Sequence, residues 1–191
     1  PENHPLFAGF LPPVRRLLAS KLTNYDVVVA LGAPIFTYHV HSDGPFVPAG
    51  VRLFQIIDDP EAAAWAPVGT SLLSTLRLAL SRLLELVETS ARPMPPPLVR
   101  PQVAERLDPI PASFVLHTIS QVMPNDAVIV EEAPSHRNDL HDYLPICHSD
   151  GFYTGASGGL GYSLPAAVGI ALADPTRRII CLLGRSEERR V

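Results

Sequence analysis

The sequence predicts an α/β fold built on mostly parallel sheets, and three observations carry that prediction. Short, continuous apolar runs rich in Val and Ile end at Gly-Ala-Pro or at acidic residues, as strands buried on both faces of a parallel sheet do. Stretches with apolar residues three and four apart alternate with them, the pattern of helices that cover such a sheet. Between the two halves lie Pro93, Pro95, Pro96, Pro97, Pro101, Pro109 and Pro111. Each proline fixes φ and removes an amide donor, so this stretch joins neither a helix interior nor a central strand. It reads as a linker over 93–111, separating a first domain over 1–92 from a second over 112–191.

In the first segment, Val14, Leu17, Leu18 and Leu22 after Pro13 predict a helix over 13–22. Residues 25–31 follow as a strand buried on both faces, closed by Gly32-Ala33-Pro34. A loop with Phe36, Tyr38, His39 and His41 leads to a second strand over 51–57. Residues 72–87 read as one long helix, with Leu76, Leu80, Leu83, Leu84 and Val87 on its apolar side. Asp58 and Asp59 stand before Pro60, where capping of the following turn outweighs a ribose contact. Trp65, among alanines, reads as a packing anchor.

Beyond the linker, 113–123 reads as a helix with Phe114, Leu116, Ile119 and Val122 inward, and 127–130 as a strand whose end carries Glu131, Glu132 and Ser135. The two glutamates read as strand-end solvation and orientation rather than an acid/base dyad. A helix over 164–172 and a strand over 178–183 complete the segment. Before that helix runs Gly155-Ala156-Ser157-Gly158-Gly159-Leu160-Gly161, a stretch whose small residues let backbone approach a ligand closely. Glycine spacing alone serves equally for a turn before a buried helix. Ligands of parallel sheets sit beyond the carboxyl ends of the strands, however, so Ser135 and this run point to one site.

Composition narrows the classes. With 191 residues, 47% of them hydrophobic and 18% charged, the chain can bury a core. A formal charge of -4 leaves no basic surplus for a nucleic-acid backbone. No apolar run is long enough for a membrane helix. Cys147 and Cys181 lack CxxC spacing and read as free buried thiols of a reducing, cytoplasmic compartment. His4, His117, His136, His141 and His148 show no metal spacing and read as surface or packing residues. The chain starts at Pro1 without methionine or secretory signal, and a polar stretch follows its last strand, as in an excised or diverging piece.

These residues together carry a resemblance. His4-Pro5-Leu6-Phe7-Ala8-Gly9-Phe10-Leu11-Pro12, Gly32-Ala33-Pro34-Ile35-Phe36-Thr37-Tyr38-His39, Asp59-Pro60-Glu61-Ala62 and Gly158-Gly159-Leu160-Gly161-Tyr162-Ser163-Leu164-Pro165-Ala166-Ala167 resemble segments of the thiamine-diphosphate-dependent 2-keto-acid decarboxylases, most closely the benzoylformate decarboxylase branch. The tyrosine-histidine loop marks that branch against acetolactate-synthase-like relatives, whereas the glycine run is shared more widely. The resemblance implies a Rossmann-like three-layer α/β/α architecture in two incomplete domains: the latter part of a central domain and the start of a thiamine-diphosphate-binding domain. It further implies a portion of an enzyme that decarboxylates a benzoylformate-like 2-keto acid to an aldehyde and CO2, with thiamine diphosphate and Mg2+, as a homo-oligomer that is tetrameric in the parent family.

Position by position, the resemblance makes His39 the catalytic residue for proton transfer. It places Ser135 on the diphosphate and the Gly158 carbonyl on the aminopyrimidine, with Gly159 and Leu160 in the same loop and Glu132 orienting it. Pro134 stands where the benzoylformate branch has a hydroxyl residue, so one phosphate donor is missing. The family continues its last strand into Gly-Asp-Gly, whose aspartate holds magnesium. Here Arg185 and Ser186 follow Gly184, and no metal ligand is assigned. The expectation is a chain that is inactive and cofactor-free alone and self-associates through exposed strand edges. The alternatives are a non-catalytic nucleotide-binding or oligomerisation module, an acetolactate-synthase-like carboligase, and a remnant without function.

Overall fold

The computed structural model describes residues 1–34, 36, 41–89, 91–155 and 159–184. They fall into two compact units, one spanning Phe10–Pro93 and the other combining Pro1–Gly9 with the chain from Met94 onward. Sequence order assigned 1–9 to the first domain, but hydrogen bonds tie these residues to the second unit. The Glu2 N–H donates to the Ile146 carbonyl at 2.7 Å. The Glu2 carboxylate meets His141 Nδ1 at 2.9 Å and Arg100 Nη2 at 3.3 Å.

The first unit contains α1 (Arg15–Leu22), β1 (Val27–Leu31), β2 (Arg52–Ile57), α2 (Pro60–Trp65), β3 (Thr70–Leu73) and α3 (Leu76–Leu86). Its sheet has the order β1-β2-β3, parallel throughout. Four expectations are corrected here. α1 starts after Val14, so Pro13 precedes the helix instead of opening it. β1 lies at the edge of its sheet and leaves Val29 and Leu31 exposed, not buried on both faces. The stretch 72–87 is no single helix: Leu72 and Leu73 end β3, and α3 begins only after Thr75, whose hydroxyl accepts from the Leu78 N–H. An unbroken leucine-rich pattern hides that change because leucine fits both periods. Trp65 is 85% exposed at the last position of a two-turn helix that buries no residue, so it anchors no packing. The capping reading of Asp59 agrees with the structure: its Oδ1 accepts from Glu61 and Ala62 N–H at 2.9 and 3.2 Å.

The second unit contains α4 (Ala112–Val122), β4 (Val128–Glu132), a short 3-10 turn (Pro134–His136), α5 (Arg137–Tyr143), β5 (Phe152–Thr154), α6 (Ser163–Ala173) and β6 (Ile179–Leu183). Its parallel sheet has the order β5-β4-β6. Successive strand residues face opposite sides, and β4 shows the consequence. Ile129 packs with Leu116 of α4 and Leu140 and Leu144 on one side. Val128 and Val130 pack with Ala167 of α6 on the other. Helices therefore cover both faces, giving three α/β/α layers.

α5 and β5 were not expected. α5 buries only Leu140 and His141 of its seven residues, and β5 is three residues long, so neither leaves a readable period. The proline-rich stretch holds no helix or strand among its described residues. It is more than a spacer, because Ala104 is buried and Arg100 bonds the Glu2 and His141 carbonyls. Cys147 and Cys181 are free thiols, half-buried rather than buried. Among the described residues, no helix is long and apolar enough to cross a membrane.

Candidate functional site

The carboxyl ends of β4, β5 and β6 lie side by side, and the segments that leave them form the candidate site. β4 delivers Glu131 and Glu132 and then the turn holding Ser135. β5 ends at Thr154 and opens into the glycine run, whose exit enters α6. β6 ends beside Gly184, whose N–H donates to the Glu132 carbonyl at 3.0 Å. A Cβ on Gly184 would stand 2.9 Å from the Ala133 Cα, so only glycine lets these two strand ends approach so closely.

Alternation along β4 decides what each glutamate does. Glu132 shares its face with Val128 and Val130, the side of α6. Its Oε1 accepts from the Gly161 N–H and its Oε2 from the Ser163 N–H, both at 2.8 Å. Those amides belong to the opening of α6, where free N–H groups and the helix dipole favour a negative charge. The bond from Gly161, followed by that from Ser163, holds the Glu132 carboxyl below the usual glutamate range. Gly161 has φ +96°, a left-handed conformation that suits glycine. Glu132 thus secures the exit of the run, its oxygens committed to protein amides.

Glu131 shares its face with Ile129, the side of α4 and α5, and is fully buried. Solvation of this strand end, expected from sequence, is therefore corrected for Glu131. Its oxygens accept from the Ala133 N–H at 2.6 Å, from Arg137 Nε and Nη2 at 3.1 and 2.7 Å, and from the Thr154 hydroxyl at 2.9 Å. Sequence reasoning passed over Arg137 and Thr154. The register that puts Thr154 directly opposite Glu131 is the fact that finds them.

Ser135 lies exposed in its turn, and Gly159 and Leu160 lie exposed in the run. His39 and Gly158 fall outside the described residues, as do Arg185 and Ser186. The donor set fits the diphosphate end of a cofactor: an exposed Ser135 hydroxyl, a small-residue run, and a Ser163 hydroxyl that is buried without a partner among the described residues. Among the described residues, no group of three or more His, Cys, Asp or Glu side chains could hold a metal ion. The Cys181 thiol is pushed up by burial and then by the Glu132 charge, which leaves it a poor nucleophile.

In the first unit, a cavity of about 380 Å³ lies at the carboxyl ends of β1 and β2, lined by Phe36, Gln55, Asp59, Glu61 and Trp65 among others.

Comparison with known proteins supports the fold. Residues 133–186 match the thiamine pyrophosphate enzyme, C-terminal TPP binding domain. Benzoylformate decarboxylase of Pseudomonas aeruginosa is 38% identical over 96% of this chain and 35% of its own length. The crystal structure of benzoylformate decarboxylase from Polynucleobacter necessarius superposes with a TM-score of 0.89 at 37% identity, covering 96% of this chain and 35% of that one. The thiamine diphosphate-dependent 4-hydroxybenzoylformate decarboxylase of Rhodococcus jostii gives 0.85 at 34% identity, with 96% and 35% covered. The chain spans about 35% of the length of that Pseudomonas aeruginosa relative. In sequence and in structure the chain is similar to the thiamine-diphosphate-dependent benzoylformate decarboxylases, corresponding to about a third of their length.

Proposed function

We propose that this chain is the cofactor-holding portion of an enzyme that decarboxylates an aromatic 2-keto acid of the benzoylformate type to an aldehyde and CO2. The observation that carries the reading is the convergence at the end of β4. Adjacent carboxylates hold the Ser135 turn on one side and the glycine run on the other. Ser135 would bond the diphosphate, and the Gly158 carbonyl would meet the aminopyrimidine, with Gly159 and Leu160 in the same cofactor-binding loop. Bound thiamine diphosphate supplies the electron sink for loss of CO2, and the protein supplies binding and orientation. In this reading His39 moves the proton to the product carbon, and Mg2+ accompanies the diphosphate because a hard cation suits its oxygens. The whole enzyme works as a homo-oligomer in the cytoplasm, and this chain alone is inactive.

The cavity of the first unit favours a second reading, a small-molecule module. Its carboxylates, Asp59 and Glu61, oppose a nucleotide phosphate, and Asp59 is already committed to capping α2.

The test is turnover of benzoylformate by the full-length protein supplied with thiamine diphosphate and Mg2+, followed by aldehyde and CO2 release. Formation of an acetolactate-type product from pyruvate, with benzoylformate untouched, would transfer the protein to the carboligases. A cofactor-loaded protein without either activity would sink the decarboxylase reading.

A further inference from the structure

We propose that Glu131 is a positioning residue whose buried carboxylate locks the Ser135 turn and the entrance of the glycine run into one geometry. The inference rests on the reading of these loops as a diphosphate site. A carboxylate with no exposed surface is tolerated only when its oxygens are filled, and here donors from three segments fill them. Ala133 and Arg137 bracket Ser135 in sequence, so a single carboxylate grips both ends of its turn. Thr154 immediately precedes Gly155, so the same carboxylate also fixes where the run departs from β5. Arg137 Nη2 donates to the Thr154 hydroxyl oxygen at 3.3 Å, which closes a ring of three side chains.

Glu132 does the complementary task at Gly161 and Ser163. One strand end therefore holds the entrance of the run through one glutamate and its exit through the next. The Arg137 side chain is partly exposed while Glu131 is not, so the pair is solvated from the arginine end only. Neutralising Glu131 leaves the Arg137 charge unmatched and sets an NH2 donor against either the Ala133 N–H or the Arg137 guanidinium, each of which needs an acceptor. The turn and the run then lose their common reference without any change to a group that would touch the cofactor.

In the full-length protein, Glu131→Gln is expected to weaken thiamine diphosphate binding about tenfold or more, with kcat at saturating cofactor kept within about threefold, because a positioning defect acts before chemistry. In the cofactor-free protein, amide hydrogen exchange over 133–137 and 152–155 is expected to rise about tenfold while Gly161 and Ser163 stay protected. Thr154→Val is the milder variant should Glu131→Gln fail to fold, and its faster exchange is expected over 152–155 with a cofactor affinity loss of about threefold. Unchanged exchange and unchanged affinity overturn the proposal, and so does full affinity with a lost kcat, which would place Glu131 in the chemistry. If the unsubstituted protein binds no thiamine diphosphate, the functional reading fails by itself, and exchange over 133–137 still decides whether the brace exists.

Discussion

Among the described residues both units hold three parallel strands, yet burial differs sharply between them. β4, the middle strand of the second sheet, is buried from Val128 to Glu131 with helices on both faces. In the first unit β2 is buried over Leu53 and Gln55–Ile57, but neither α2 nor α3 buries a single residue and β1 is half open. The comparison teaches where a polar site can be built with precision. Glu131 and Glu132 are held because the strand below them is packed on both sides, so their backbone has no freedom to yield. A carboxylate at the end of β2, Asp59, performs only a local cap.

Three experiments would break or sharpen that contrast. The largest effect is expected from Leu140→Ala, at a side chain 1% exposed in the cluster with Leu116, Ile129 and Leu144. Such a truncation costs about 3 kcal/mol. Leu84→Ala, at an 82% exposed leucine on α3, is expected to stay within about 0.5 kcal/mol. Urea midpoints read against hydrogen exchange of the β4 amides would measure both, and equal losses would erase the difference between the units.

Next comes Gly184→Ala, whose added methyl meets the Ala133 backbone and forces β4 and β6 apart at their ends. The expected loss is about 2 kcal/mol, confined to exchange near the ends of these strands. Neutral behaviour would show that the approach yields cheaply.

The smallest effect concerns pH. Because the folded-state value of Glu132 is lowered, its contribution is present above the unfolded-state value and is lost as pH falls through the folded one. Protection of the Gly161 and Ser163 amides, corrected for intrinsic exchange, should therefore decline below the usual carboxylate range. Glu132→Gln should flatten that profile.

The fold class was legible because a parallel strand buried within a sheet leaves a continuous Val and Ile run, as at 128–130. Ser135 and the glycine run could be assigned to one site because parallel topology collects strand ends. The brace behind them was not legible. Glu131 and Glu132 are neighbours with the same chemistry, and only the facing of β4 sends one to Arg137 and the other to α6. Thr154 lies 23 residues from Glu131, a pairing that exists only once the register is known. In the first unit the leucines of 72–87 concealed a strand and a turn, since apolar content there carries no single period.

Trp65 has a practical consequence. It is the chain's sole tryptophan, water-facing and in the first unit, whereas tyrosines occur in both units, Tyr25 in the first and Tyr143, Tyr153 and Tyr162 in the second. Selective indole excitation therefore follows the first unit alone, and a soluble quencher should reach it readily. Tyr25 puts tyrosine emission in the first unit as well, so only the indole signal is confined to one unit, and a quenching titration reads that unit without any engineering.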